Sequence, residues 1–344
     1  MAPGPSPSMA VPPGRRALLG LSALALAARR PRPSRAQGPA GGPAGQAWPA
    51  RPLRMVVPFQ AGGTTDLLAR LLAEGLGSRL GQPVVAENRG GAGGAVGAEI
   101  AARMEPDGHN LFFATIGSAA IIPQMHARLN WRPADLAPVA LFAEVPNVFC
   151  VAKGAPWADL RALLADARAR PGRLTYASSG VGSSLHLSGE LLKAMAGVDL
   201  LHVPFRGGGD TANEVLSGRI HMGVNNLPSA VGLIRSGELR ALAVTSAERS
   251  PAVPEVLTAA EAGLPGYEAT AWFGLQVPAG TPDAVVARLN AETNAVLVHA
   301  PTRARMEAVG ARPRGGGVRD FAEFIRAENA KWAEVVRRAG VRVE

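Results

Sequence analysis

The amino-acid sequence predicts an α/β protein with two domains. After residue 50, short apolar runs typical of strands alternate with amphipathic runs typical of helices, which indicates parallel sheets covered by helices. The chain has 344 residues, of which 47% are hydrophobic, and this is enough to fill the cores of two domains of ordinary size. No long sequence period repeats, so a solenoid is excluded.

The elements follow one another along the chain. A leucine stripe marks the first helix (Leu67, Leu68, Leu71, Leu72, Leu76 and Leu80), and Thr281-Pro282-Asp283 is a typical helix start. The last helix carries an aromatic and aliphatic stripe, including Phe321 and Trp332, that we assign to core packing. The ten predicted strands are residues 53–57, 83–87, 110–114, 138–142, 147–152, 174–178, 200–203, 219–224, 239–245 and 272–277.

Two domains without a linker between them require the chain to cross from one to the other more than once. The crossings are predicted at two extended stretches, residues 144–149 and 270–277. This places residues 51–147 and 272–344 in a discontinuous first domain, and residues 148–271 in the second.

The N-terminus has the features of an export signal. Arg15 and Arg16, a pair that resembles a twin-arginine signal, precede an apolar run of 12 residues that is too short to span a bilayer. A small-x-small motif ends at Ala36, so we predict a signal peptide over residues 1–36 and a flexible lead-in over residues 37–50. The alternative is a disordered tail rich in proline and arginine. A signal peptide would place the mature protein in the periplasm.

The charge and the aromatic content argue against a nucleic-acid partner. The first 36 residues hold six arginines and no acid, so that without them the formal charge falls from +9 to +3. The chain has only two tyrosines for base stacking. The single cysteine, Cys150, lies in an apolar run and is predicted to be a buried, inert thiol.

The most informative stretch is residues 56–66, where an apolar strand ends in a Gly62-Gly63 turn and a helix follows at once. Such a turn directs unpaired backbone N–H groups at one point, with the positive end of the helix dipole behind them, which suits a carboxylate or phosphate. The N–H groups of residues 62–65 either bind such an anion or only form a tight turn. Asp66 either matches the helix dipole or accepts a hydrogen bond from a ligand.

A second loop of this kind lies at residues 177–187. Gly180 and Gly182 permit close backbone approach, Ser183 or Ser184 caps the following helix, and the serine hydroxyls would complete a neutral cradle. The alternative is an ordinary capped turn. Two such loops in one chain predict a ligand that is held from both sides.

Three other loops carry weaker signals. The glycine-rich residues 88–97 fail the dinucleotide fingerprint, because Val96 stands where its last glycine belongs, and we interpret them as a flexible loop before a helix at 95–104. Arg206 either faces an anion or lies in solvent. The run that starts at Asn225 and Asn226 offers amide groups to a cleft.

The sequence favours binding over catalysis. The six histidines show no metal-ligand spacing, and no phosphate-binding loop is present. A triad of Ser179, His186 or His202, and Asp210 can be drawn, but no G-x-S-x-G elbow supports it. We therefore expect no catalytic residue, no cofactor and no metal. A hydrolase that uses Ser179 stays open as an alternative.

Several segments, in order, resemble the Bug-type solute-binding receptors of tripartite tricarboxylate transporters. The resemblance covers residues 52–340. It rests on residues 55–66, 81–89, 106–108, 177–180 with 186–187, 202–204, 239–245 and 278–282.

The resemblance implies a type II-like periplasmic-binding-protein fold whose two domains close on a small carboxylate. It further implies a receptor that delivers this ligand to membrane transporter subunits, and we expect the receptor to be a monomer. A periplasmic sensory subunit that signals to a membrane kinase is the alternative. Carried over by position, the ligand-binding residues would be Phe59, Ala61, Gly62, Gly63, Thr64, Asp66, Thr115, Ser178, Ser179, Ser183, Ser184 and Asn225.

The chain departs from the family pattern at three positions. Thr64 stands where the family often has proline, Val181 where a polar residue is usual, and Asn225 where aspartate is usual. Without an acid at position 225, a ligand ammonium group loses its natural partner. We therefore expect a plain or aromatic carboxylate rather than an acidic amino acid.

Overall fold

A computed structural model describes residues 48–125 and 128–339. The predicted signal peptide, 1–36, and residues 37–47 of the predicted lead-in lie outside the described residues. Within them the strands are β1 (Leu53–Val57), β2 (Val84–Asn88), β3 (Asn110–Thr115), β4 (Leu136–Ala152), β5 (Thr175–Ser178), β6 (Leu201–Pro204), β7 (Met222–Asn226), β8 (Leu239–Val244), β9 (Thr270–Pro278) and β10 (Arg312–Pro313).

The helices of the described residues lie between these strands and after the last one. They are α1 (Thr64–Leu80), α2 (Ala95–Ala102), α3 (Ile122–Met125), α4 (Leu160–Ala169), α5 (Ser184–Ala196), α6 (Gly208–Leu216), α7 (Leu227–Arg235), α8 (Asp283–Val298), α9 (Ala300–Ala308) and α10 (Val318–Ala339).

The strand order is β2-β1-β3-β9-β4-β7-β5-β6, with β8 and β10 also paired to β4. The outer strands pair in parallel, as the sequence predicts: β1 with β2 and β3, and β5 with β6 and β7. The expectation of parallel pairing is wrong for β4 and β9, whose pairs are antiparallel. Parallel pairing arises where a crossover connection, usually a helix, joins two neighbouring strands. β4 is instead a long strand that runs from one half of the sheet into the other.

The two predicted strands at 138–142 and 147–152 are one strand. Residues Leu136 to Pro146 of β4 pair with β9, and the following residues, from Asn147 on, pair with β7 and β8. β4 is thus the covalent and hydrogen-bonded link between the two halves of the sheet.

The apolar core changes along this strand. Val145 belongs to a first cluster of buried side chains, drawn from residues 53–145 and 271–336 together with Leu187. Val148 and Phe149 belong to two further clusters, one on each face of the other half of the sheet. The described residues nevertheless form one compact unit, and the division into two domains stays a prediction.

The helix stripes are confirmed with one correction. Leu68, Leu71, Leu72 and Leu76 of α1 are buried, but Leu67 is 40% exposed because it lies off the apolar face. In α10, Phe321 and Trp332 are buried in the first cluster.

The predicted lead-in has a structured end. Trp48 is half-buried against the first cluster and meets the His109 ring edge to face, with the ring centroids 6.2 Å apart. The last part of the segment predicted to be flexible is therefore packed against the core. No helix within the described ranges is long and apolar enough to cross a membrane.

Candidate functional site

The first loop is held by a network around Asp66. The Gly62 N–H donates to Asp66 Oδ2 at 3.1 Å, and Asp66 Oδ1 accepts from Arg70 Nε and from Asn88 Nδ2, both at 2.9 Å. Asn88 also donates to the Phe59 carbonyl at 3.0 Å, which ties the loop to the end of β2. The Gly62 N–H is therefore used inside the loop, and both Asp66 oxygens are occupied.

The charge of Asp66 is balanced within this network. Burial raises the pKa of the Asp66 carboxyl, but the hydrogen bonds from Arg70, from the Gly62 N–H and from Asn88 lower it more, so that it lies below its ordinary value. The carboxylate stays ionised and paired with Arg70. It does not stand beside the helix N-terminus as an uncompensated negative charge.

The N-terminus of α1 has unused hydrogen-bonding capacity. Its N-cap, Gly63, has no side chain to satisfy the first N–H groups of the helix. The adjacent Thr64 is 2% exposed, and its hydroxyl has no hydrogen-bond partner within the described chain. A buried hydroxyl without a partner is costly, which makes Thr64 a candidate contact for a ligand.

The second loop is held by its own serines. Ser183 caps α5, since its hydroxyl accepts from the His186 N–H at 3.2 Å and donates to the Gly180 carbonyl at 2.7 Å. The Ser178 hydroxyl accepts from the Gly180 N–H at 3.2 Å and lies 2.6 Å from His202 Nε2. These two hydroxyls shape the loop, whereas Ser179 and the half-buried Ser184 have no such fixed bonds.

Two stacked histidines stand behind this loop. The rings of His186 and His202 lie 4.3 Å apart, and His202 also stacks on Tyr176 at 4.8 Å. Burial lowers the pKa of His186 to about 4, and burial together with the nearby His186 lowers that of His202 to about 3. Both rings are therefore neutral near pH 7, and His186 Nδ1 accepts from the Gly182 N–H at 3.3 Å.

The serine–histidine contact involves Ser178 and not Ser179. Ser178 has no exposed surface, so its hydroxyl reaches no substrate. Ser179, the residue of the hydrolase alternative, has no histidine within hydrogen-bond distance in the described part of the chain. The described residues also contain no group of three or more acids, histidines or cysteines that could hold a metal ion.

Three other predicted site residues are Thr115, at the end of β3, and Phe59 and Ala61, within the first loop. The Thr115 hydroxyl and N–H are engaged with Ser118 in a turn at the end of β3. Phe59 is buried, and a β-carbon placed on Gly94 would lie 3.4 Å from its ring. Ala61 is exposed.

Asn225 is another predicted site residue that is buried without partners among the described residues. It lies in β7, is 1% exposed, and neither its amide nitrogen nor its amide oxygen has a hydrogen-bond partner among the described residues. A β-carbon on Gly223 would lie 2.8 Å from the Asn225 nitrogen, 2.9 Å from a methyl group of Val215 and 3.7 Å from one of Thr211, which places the amide beside the second half of α6.

Close backbone contacts bring the loops together. A β-carbon on Gly93 would lie 2.1 Å from the Val181 carbonyl oxygen, and one on Gly180 would lie 3.2 Å from the Gly93 nitrogen. On the other side, a β-carbon on Gly63 would lie 3.6 Å from the Gly208 nitrogen, at the start of α6. The loops after β1 and β2 thus meet the loops after β5 and β6 across one cleft.

Sequence reasoning missed three parts of this cleft. The glycine-rich loop at 91–94, interpreted as flexible, packs against the second loop, and Gly93 has a left-handed φ of +63°. The start of α6 at Gly208 faces Gly63, and Asn88 holds the first loop. One signal for them is present in the sequence: each of these residues ends or follows a strand, and the carboxyl ends of parallel strands lie together at one edge of a sheet.

The fold and the paired strand-to-helix loops define a class: periplasmic binding proteins, with a curled α/β sheet and a cleft between two groups of loops. Residues 68–341 match the sequence pattern of the tripartite tricarboxylate transporter family receptor, and the chain belongs to that family. The resemblance to Bug-type receptors is confirmed.

Three relatives illustrate the match. Protein BugT of Bordetella pertussis is 35% identical over 302 residues, which cover 86% of this chain and 92% of BugT. Rpa4515 of R. palustris, solved with adipate, is 39% identical with a TM-score of 0.84, covering 86% of this chain and 99% of that one. MatC of Rhodopseudomonas palustris, solved with bound malate, is 35% identical with a TM-score of 0.80, covering 84% and 100%.

Proposed function

We propose that this protein is a periplasmic receptor that captures a small carboxylate in the cleft and delivers it to a tripartite tricarboxylate-type transporter. The family consists of solute-binding receptors, and its members solved with adipate and malate hold small carboxylates. The export signal over residues 1–36 and action as a monomer are part of the same proposal.

One observation carries the proposal: the buried Thr64 hydroxyl and the buried Asn225 amide have no partners in the described chain. Thr64 is the first residue of α1, and Asn225 packs beside α6, whose start at Gly208 faces the start of α1 at Gly63. Helix N-termini attract anions, and buried polar groups require partners. A carboxylate between them would supply acceptors to the Thr64 hydroxyl, the Asn225 amide N–H groups and the free backbone N–H groups.

The two predicted domains, 51–147 with 272–344 and 148–271, would move about the strands that join them. β4 changes partners at Asn147, and the buried clusters change between Val145 and Val148. Since the loops of both halves touch the same cleft, a ligand that contacts both stabilises the closed arrangement.

A screen of small carboxylates by thermal shift tests the binding, because a ligand that binds only the folded protein raises the Tm. The decisive variant is Thr64→Val, which removes an unpartnered hydroxyl at nearly constant shape. We expect unchanged or raised stability, together with affinity for the best carboxylate weakened about tenfold or more.

Thr293→Val is the matched control. The Thr293 hydroxyl of α8 is also buried without a partner but belongs to no loop of the cleft. It should change stability in the same direction as Thr64→Val and leave the affinity unchanged. Equal affinities in the parent and Thr64→Val would refute this site, and uptake by cells with and without the transporter's membrane subunits would test delivery.

A further inference from the structure

A small cavity extends the cleft beyond the predicted site residues. Its volume is about 250 Å³, and it lies between residues 91–93 of the first half and residues 179–181 and 204–206 of the second. Ser179 is its only lining residue from the predicted site. The cavity therefore has room for a part of the ligand that does not lie at Thr64.

Arg206 supplies the only charge in this lining. The other lining residues are glycines, Ala92, Ser179, Val181, Pro204 and Phe205, and no acid is among them. Within residues 48–125 and 128–339, no hydrogen bond or ion pair engages the Arg206 guanidinium, although many arginines of the chain are paired with carboxylates. Asp210, one turn away in α6, forms no ion pair with it.

The backbone that carries Arg206 is fixed while its side chain is free. The Phe205 N–H donates to the Ser178 carbonyl at 2.8 Å, and Pro204 is in register with Ser178 in the parallel pair of β5 and β6. On the other side, Gly207 caps α6 and approaches the Gln60 side chain. A guanidinium thus stands on a rigid base at the rim of the cavity, where its planar fork suits a carboxylate.

We propose that this cavity is a second anion subsite, in which Arg206 binds the distal carboxylate of a dicarboxylate whose first carboxylate lies at Thr64 and Asn225. The inference rests on the proposed function and deepens it, because it makes Arg206 the residue that distinguishes a dicarboxylate from a monocarboxylate of equal length. An anion in the cavity would face one cationic side chain, that of Arg206, and no acidic side chain of the lining.

The test is calorimetric titration of the dialysed protein with aliphatic dicarboxylates from malonate to suberate, each beside the monocarboxylate of the same length. The parent should prefer its best dicarboxylate about tenfold or more over the matched monocarboxylate, as one good Arg–carboxylate contact allows. Arg206→Gln should remove that preference and leave monocarboxylate binding unchanged.

Arg173→Gln is the control, because Arg173 is another exposed arginine without an ion pair among the described residues and its loss changes the net charge equally. It should preserve the preference. If Arg206→Gln keeps the preference, or weakens both ligand series equally, the subsite is wrong while carboxylate binding stands. If the parent binds no carboxylate of either series, the proposed function fails and the subsite with it.

Discussion

Replacing Gly93 by alanine should hold the cleft open. The new β-carbon would lie 2.1 Å from the Val181 carbonyl oxygen and 3.1 Å from its carbon. Real contacts of this kind are longer by more than about 1 Å, since non-bonded carbon atoms are most stable about 3.5 to 4.0 Å apart. The loops at Gly93 and Val181 must therefore move apart by about 1 Å. Because the two loops form opposite walls of the cleft, this movement opens it.

The cost falls mainly on the arrangement in which the two loops touch. Overpacking of this kind costs about 1 to 3 kcal/mol, which weakens the apparent affinity by a factor of roughly 5 to 150 if only the closed arrangement binds. The left-handed φ of +63° adds about 1 to 2 kcal/mol to an L-residue in every folded arrangement, closed or open. This second cost lowers stability without affecting affinity.

Gly197→Ala separates the two costs. Gly197 ends α5 with a φ of +61°, nearly the same as Gly93, but a β-carbon there meets nothing within 4 Å. Both variants should lose similar stability in chemical unfolding, and only Gly93→Ala should lose affinity in titration with the tightest carboxylate. Small-angle scattering at saturating ligand should give a larger radius of gyration for Gly93→Ala. Equal affinities for the two variants would refute the reasoning.

Three further predictions concern stability and reactivity. His186 and His202 are neutral in the folded protein, whereas in the unfolded chain their pKa is near 6.5, so the free energy of unfolding is full above that pH and falls as the pH drops toward 4. In urea unfolding, His186→Gln should therefore reduce the loss of unfolding free energy between pH 7 and pH 5 by ~2 kcal/mol. A loss equal to that of the parent would contradict this prediction. Cys150 is fully buried and its pKa is raised to about 12 by burial, so iodoacetamide should label it only in denaturant, as mass spectrometry would detect. Asp66→Ala leaves the Gly62 N–H without its acceptor and should cost about 1 to 3 kcal/mol of unfolding free energy, whereas unchanged stability would show that Asp66 does not hold the loop.

The strands were predictable where local patterns decide them. β1 has the predicted bounds, because an apolar run rich in valine is followed at once by Pro58 and the glycine turn. The sequence did not predict β4 as one strand, because Pro146 lies between its two predicted parts and proline usually interrupts a strand. In the structure the strand continues through Pro146, the last residue of β4 to pair with β9 before β7 and β8 take over.

The two loops of the candidate site could be located from the sequence, but their individual hydrogen bonds could not. Glycines and serines after strands identified both loops, because they govern turn conformation and helix caps wherever they occur. Which groups remain available depends on distant partners. The Gly62 N–H is taken by Asp66, whose position depends on Asn88 in another strand, and no local pattern could indicate that bond.

The polar groups of the cleft fall into two kinds, and the division explains how rigidity and binding coexist. Asp66, Ser178 and Ser183 are engaged by bonds within their own loops and, through Asn88 and His202, with neighbouring strands, and these bonds hold the loops in shape. Thr64 and Asn225 are buried without partners among the described residues, at a cost of about 1 to 3 kcal/mol for each unsatisfied group. In the proposed function, a ligand that bonded to both would remove this cost only in the closed arrangement, and would shift the population toward closure by that difference in free energy. Under the proposed function, binding and closure would be one event, because the groups proposed to recognise the ligand are the groups that would oppose closure without it.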